Sequence, residues 1–295
     1  MPYQPISRNE ILLYIFFIKQ MNLIDSTLDT FYTQSSEETR LKTGLGPLEF
    51  ERNKELISRY LPDRKAVIAD VGGGTGHYAS WLSSLGHRVV LIDPVAKHIQ
   101  QAEKRAGKSK HSFKCLKGEA RSLPFEIQSF DLVILHGPLY HLQEESERVA
   151  AIKEARRVLK VGGIILGFAI TYSASTLAAF QNGLIHHPDI FSMCKEELSS
   201  GTHYPPQSFP GILAHAYFHK PTSLIIEFQR CGLNVVDLLA VEGMTWMDKT
   251  FFESWSSPEK RQRLNDLLAL TESDRELLCL SPHMMIAAEV DYLSD

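Results

Sequence analysis

The 295-residue chain has only four cysteines, Cys115, Cys194, Cys231 and Cys279, each standing alone. Without a C-x-x-C pair there is no zinc knuckle and no redox dithiol to assign. Single thiols of this kind suit a reducing, cytoplasmic setting. An excess of one charge is also missing. Lys and Arg total 31 against 35 Asp and Glu, a net charge of −4. No global field draws in a polyanion, so nucleic acid is not the expected partner. The only early apolar run, residues 11–18 (ILLYIFFI), stops at Lys19 and Gln20. That is short of the ~20 residues a membrane-spanning helix needs. A secretory leader wants a basic start and a small-residue cleavage site, whereas Arg8 is followed by Asn9 and Glu10. Stable membrane insertion is not expected. The run reads as a helix packed on the body or on a second subunit, as in a homodimer. Repeats and low-complexity tracts are absent as well.

What is present is an alternation of elements. Residues 66–71 (AVIADV), 88–93 (RVVLID), 111–117, 130–136 (FDLVILH) and 164–170 read as strands, with helices at 77–85, 96–106 and 145–159 between them. Fully apolar strands alternating with helices imply a parallel sheet covered on both faces. The rhythm breaks over residues 171–220, rich in His, Tyr and Pro, which read as an insertion over the carboxyl edge of the sheet. A helix at 221–231, a sixth strand at 234–241, two helices within 246–277 and a last strand at 283–290 follow. The expected fold is α/β, a doubly wound, mostly parallel seven-stranded sheet. Residues 1–60 form a helical cap, 61–170 the binding core, 171–220 a substrate-side insertion and 221–295 the remainder of the sheet.

The first strand ends in Asp70 and runs into Gly72-Gly73-Gly74-Thr75-Gly76 before a helix. Glycines permit positive φ and close backbone approach, and a helix N-terminus offers free N–H groups. Asp93, ending the next strand, stands where an acid grips ribose hydroxyls. Residues 74–79 also fit the dinucleotide pattern G-x-G-x-x-A. An NAD-dependent oxidoreductase is therefore one reading, and a non-catalytic cofactor-binding protein another. Against the first, Asp70 and two additional glycines precede the pattern, and a carboxylate there repels a pyrophosphate but welcomes a cationic amino-acid group.

Asp70-Val71-Gly72-Gly73-Gly74-Thr75-Gly76 resembles the first motif of class I S-adenosylmethionine-dependent methyltransferases. Gly118-Glu119-Ala120 with Leu123-Pro124-Phe125 resembles the family's adenine loop, although Asp is commoner at position 119. Residues 130–142, and 155–163 with Val161 where Pro is usual, resemble its fourth strand and its turn into the fifth. The style is closest to the ubiquinone/menaquinone-biosynthesis branch. The resemblance implies S-adenosylmethionine as cofactor, held by Asp70, Gly72, Gly73, Gly74, Gly76, Asp93, Pro94, Glu119, Ala120 and His136. It also implies in-line methyl transfer to a small-molecule acceptor, for which the family has no fixed catalytic residue.

Tyr140 and His141, in the loop after strand four, are the catalytic candidates, because each can hydrogen-bond an acceptor or take a proton. Tyr32 and Arg40 are candidates for a lid that closes over the cofactor. His215, Tyr217 and His219, alternating after the insertion, are candidates to place one side chain toward substrate. Glu242 and Trp246 are candidates for the substrate mouth. His186-His187 and His203-Tyr204 read as surface. The histidines lack a metal-ligand spacing, so no metal is expected.

Overall fold

A computed structural model describes residues 24, 26–34, 37–209 and 212–290. The apolar run at 11–18 lies outside them. Among the described residues no helix is long and apolar enough to cross a membrane.

The described residues form nine strands: β1 (Val67–Val71), β2 (Arg88–Asp93), β3 (Lys114–Lys117), β4 (Phe130–Leu135), β5 (Leu159–Ile170), β6 (Thr202–His203), β7 (Ala216–Tyr217), β8 (Leu233–Ala240) and β9 (His283–Val290). Seven make one sheet in the order β3-β2-β1-β4-β5-β9-β8, while β6 and β7 form a separate ribbon. The expected doubly wound sheet is therefore present. β1 to β5 run parallel, and β9 is antiparallel to both its neighbours. The order reverses between β1 and β4, and a crevice at such a switch point is where open α/β sheets bind ligands.

Side chains on successive strand residues face opposite ways, and β1 shows the consequence. Ala69 and Val71 pack with Ala151, Ile152 and Ala155 of the helix Glu145–Val158 and with Leu224 and Phe228 of the helix Pro221–Arg230. Ile68 joins the opposite core, with Leu82 of the helix His77–Ser84, Ala102 of the helix Ala96–Lys108, and Leu56 and Ile57 of the helix Gly46–Ser58. Both faces are covered, which is why β1 and β4 are apolar throughout apart from their acids.

β5 begins at Leu159, earlier than the strand read at 164–170. Phe130 pairs with Leu159, the register then shifts, and Leu132 pairs with Ile164. Gly162 takes φ +75° in that irregular stretch. The insertion after β5 contains the helices Ala174–Gln181 and Pro188–Ser200 and the β6–β7 ribbon.

A buried ionic cluster fastens the loop after β4. Arg148, 2% exposed, reaches Glu227 Oε1 at 2.7 Å and donates to the carbonyls of Leu142 (3.0 Å) and Gln143 (2.6 Å). Its guanidinium lies 3.8 Å from the Tyr217 ring centre. His219 Nε2 is 3.3 Å from the other oxygen of Glu227. Arg148→Ala would leave the Glu227 carboxylate without its main counter-charge. A loss of roughly 3–5 kcal/mol is expected in denaturant unfolding; a loss under about 1 kcal/mol would mean that water replaces the guanidinium.

Candidate active site

β1 delivers Asp70 and the glycine turn to the carboxyl edge of the sheet. Gly72, at φ +77°, is required by contact, since a Cβ there would lie 1.8 Å from the His136 carbonyl oxygen. Gly74 differs. Its φ is +55°, but a Cβ would meet nothing within 4 Å. The backbone is thus bare toward an open cavity.

Asp70 is fully buried and is not part of the cavity wall. Its carboxylate lies beneath Gly73 and 3.3 Å from His136 Nδ1, so it supports the loop from below. Gly76 is also off the wall: it caps the helix His77–Ser84 at φ +83° against Phe113. Among the described residues, these two expected cofactor residues lie behind the cavity wall and not on it. Gly72, Gly73, Gly74, Asp93, Pro94, Glu119, Ala120 and His136 all line the cavity.

Asp93 accepts from Gly74 N–H (Oδ2, 2.9 Å) and Val95 N–H (Oδ1, 2.9 Å), and His98 Nδ1 lies 3.1 Å from Oδ1. A carboxylate has about four acceptor sites, so capacity remains for a ribose hydroxyl. Glu119 Oε2 accepts from Arg121 Nε at 2.6 Å, which turns this longer acid sideways where the family's Asp would stand. His136 is sandwiched between Tyr78 and Phe168, with ring centres 4.4 and 4.2 Å away. Among the described residues, Asp70 Oδ2 beneath the wall and His98 Nε2, His136 Nε2 and His141 Nδ1 on it are buried without a hydrogen-bond partner. Buried orphans are costly, and the three imidazole atoms at one cavity fit a polar ligand there.

The helix Ser26–Gln34 reaches the cavity through Leu28 and Tyr32. Tyr32 Oη lies 2.5 Å from His141 Nε2, and Lys97 Nζ donates to the Thr33 carbonyl at 2.7 Å. Burial, with His98 and His203 nearby, pushes His141 down to about 3. Its contact with the Tyr32 hydroxyl ties the helix Ser26–Gln34 to the loop after β4. Tyr140 keeps its place on the wall, with its phenol raised well above the ordinary value, chiefly by burial.

A second cavity, of about 570 Å³, adjoins the first, within the usual range for small-molecule sites. Tyr32, Glu37, Arg40, Tyr140 and His283 line both. Trp246 lines the second cavity, its Nε1–H donating to the Leu280 carbonyl at 2.8 Å. His215, Tyr217 and His219 line neither cavity. Tyr217 and His219 belong to the Arg148–Glu227 cluster, and His215 packs edge-on to Tyr204. His203, read as surface, is 1% exposed: Nδ1 lies 2.6 Å from Glu197 and Nε2 2.9 Å from the Leu213 carbonyl.

Two residues that the sequence reading passed over, Glu49 and His283, sit at the junction. Arg40 meets Glu49 through two hydrogen bonds, 2.6 and 3.0 Å. His283 Nδ1 lies 2.7 Å from Oε1 of Glu242, itself 1% exposed. Burial raises Glu49, but Arg40 and His283 more than offset it and hold the carboxyl at about 2. Burial lowers His283, but Glu242 and Glu49 outweigh it and raise the imidazole to about 9. Stability from the His283 pair is thus complete below the ordinary histidine value of about 6.5 and is lost as pH rises through about 9. An NMR titration should place the His283 midpoint well above an ordinary histidine and bring it down in Glu242→Gln. An ordinary midpoint in the unaltered protein would contradict the pairing.

The sheet order, the bare glycine turn and the acid on β2 define the class I methyltransferase architecture. Residues 69–167 match the family model described as a methyltransferase domain. The chain carries a class I S-adenosylmethionine-dependent methyltransferase domain, and S-adenosylmethionine is that domain's cofactor. The chain is 30% identical over 145 residues to a demethylmenaquinone methyltransferase of Staphylococcus saprophyticus, covering 47% of this chain and 59% of that protein. It is 30% identical over 112 residues to a probable tRNA methyltransferase of Mus musculus, covering 37% and 23%. The matched stretches span about half the length of the first curated relatives. A solved S-adenosylmethionine-dependent methyltransferase from Methanosarcina mazei shares the fold, with a TM-score of 0.56 and 20% identity over 80% of this chain and 98% of that one.

Proposed function

We propose that the chain transfers the methyl group of S-adenosylmethionine to a small-molecule acceptor seated in the second cavity. The observation that carries this reading is the meeting of two cavities across Tyr32, Glu37, Arg40, Tyr140 and His283. One cavity has the glycine turn and Asp93, and the other is mostly apolar. The cofactor, when bound, supplies a methyl group already activated by its sulfonium. The protein's part is alignment and the exclusion of water. Gly72–Gly74 and Asp93 would hold its amino-acid and ribose parts, and Glu119 and Ala120 the adenine side. Buried Asp70 contributes negative charge beneath a cationic ligand.

In this reading residues 1–60 cap the site, 61–170 bind cofactor, 171–220 shape the acceptor cavity and 221–295 complete the sheet. Four unpaired cysteines support a cytoplasmic setting. A net charge of −4 supports a small acceptor over tRNA.

S-adenosylhomocysteine should raise the melting temperature and NADH should not; the reverse would favour the oxidoreductase reading. With labelled S-adenosylmethionine, label should pass to small apolar phenols or amines and not to unmodified tRNA. Transfer to tRNA would overturn the acceptor class, and binding without transfer to any acceptor would favour a non-catalytic role.

A further inference from the structure

We propose that the His283–Glu242 pair takes the proton of the methyl acceptor at His283 Nε2, and that the acceptor is an apolar molecule presenting a phenol-type hydroxyl. The inference rests on the methyl-transfer reading of the same site and adds to it the substrate class and the proton's destination.

The geometry is that of a base held by a carboxylate. Glu242 cannot turn away: its Oε2 accepts from the His283 backbone N–H (3.0 Å) and from Ser281 Oγ (3.1 Å), while Oε1 faces Nδ1 at 2.7 Å. That fixes the Nδ1 proton toward Glu242 and leaves Nε2 as the working atom. No hydrogen bond engages Nε2 among the described residues, and the side chain is 29% exposed where it lines both cavities. A group at that junction is placed between the methyl donor's cavity and the acceptor's.

The surrounding charges suit the task. Glu242 and Glu49 strengthen the imidazole as a base, while burial and Arg40 oppose them, leaving it at about 9. A phenol such as tyrosine titrates near 10, so the two are close to matched and the proton can move in either direction, the condition for general catalysis. The second cavity contributes the apolar body: Phe31, Ile170, Phe218 and Trp246 line it, and its charged groups Glu37, Arg40 and His283 gather at the junction. Of the other titratable groups on its wall, His203 is bonded at both nitrogens, and burial raises the Tyr32 and Tyr140 phenols.

The step balances as follows. The hydroxyl proton passes to Nε2, and an oxygen lone pair forms the new O–CH3 bond. The electron pair of the breaking C–S bond stays on sulfur. The products are an aryl methyl ether, S-adenosylhomocysteine and an imidazolium, which returns its proton to water. Because Glu242 keeps His283 protonated below about 9, near neutral pH the acceptor releases its proton to water as it enters, binds as the phenolate beside Nε2–H, and the bound complex holds the same protons.

The test uses 4-nitrophenol, whose anion absorbs in the visible, with the full chain saturated by S-adenosylhomocysteine, at a pH below the free phenol's own midpoint. The bound phenol is expected to show the phenolate band. His283→Gln should lower the phenolate fraction by at least about tenfold, equivalent to one unit of proton affinity, and Glu242→Gln by less. Retained S-adenosylhomocysteine binding shows that each variant is folded. If 4-nitrophenol does not bind, binds only as the neutral phenol, or keeps its band in His283→Gln, the inference is overturned while the methyl-donor site stands. If the unaltered protein does not bind S-adenosylhomocysteine, the function reading fails first and the inference falls with it.

Discussion

Gly74→Val is expected to remove S-adenosylhomocysteine binding from a protein that still folds. The reason is the pairing of a positive φ, +55°, with empty space where the side chain would go. A left-handed backbone costs an L-residue roughly 1–2 kcal/mol, a tolerable loss for a domain of this size. The new side chain would then occupy the volume that the cofactor needs. Overpacking costs about 1–3 kcal/mol, and losing a contact with a charged partner costs about 1.5–3 kcal/mol. Together these predict a fall in affinity of roughly 100-fold to 10⁴-fold. Calorimetry should show lost binding with a modest fall in melting temperature. Gly72 cannot serve for this comparison, because its Cβ would strike the His136 carbonyl and disturb the loop itself. Affinity within about threefold of the unaltered protein, well under 1.4 kcal/mol, would mean that no ligand approaches Gly74.

Asp93→Ala is expected to weaken S-adenosylhomocysteine for a different reason. A hydrogen bond from a ribose hydroxyl to a charged acceptor contributes about 1.5–3 kcal/mol, so affinity should fall by roughly 10-fold to 10²-fold. The carboxylate also joins three parts of the wall, accepting from Gly74 and Val95 and facing His98. Its removal frees two backbone donors, and a fall in stability of about 1–3 kcal/mol should accompany the binding loss. Asp93→Asn separates the effects: an amide oxygen can keep one backbone bond, so stability recovers more than affinity. Equal affinity in both variants and the unaltered protein would remove Asp93 from the site. Because an acid grips ribose in dinucleotide folds too, this pair locates the nucleoside without deciding which cofactor carries it.

Local features of the chain were legible before the structure. The glycine turn, Asp93 and the loop at 118–120 are set by neighbours a few residues away, and they line one cavity. Features that depend on distant partners were not legible. The alternation of His215, Tyr217 and His219 suggested a strand with one face on substrate, but the ribbon strand there is only two residues long. Arg148 and Glu227, from two separate helices, take Tyr217 and His219 into a buried cluster. His141 has the right residue type for a base, but its burial and its Tyr32 partner depend on distant parts of the chain. His283 carried a signal in the topology: an antiparallel last strand starts at the edge where the parallel strands end, so its first residue faces the ligand crevice. Glu49 carried no such signal, because its direction depends on how the helix Gly46–Ser58 packs against the sheet.

The most direct test of the whole account is a crystal structure of the full chain grown with S-adenosylhomocysteine. The nucleoside should lie along Gly72–Gly74 with its ribose hydroxyls on Asp93, its adenine beside Glu119 and Ala120, and its sulfur facing the space between Tyr140 and His283. A nucleoside found elsewhere, or a cavity that holds a dinucleotide diphosphate over the glycine turn in its place, would contradict it.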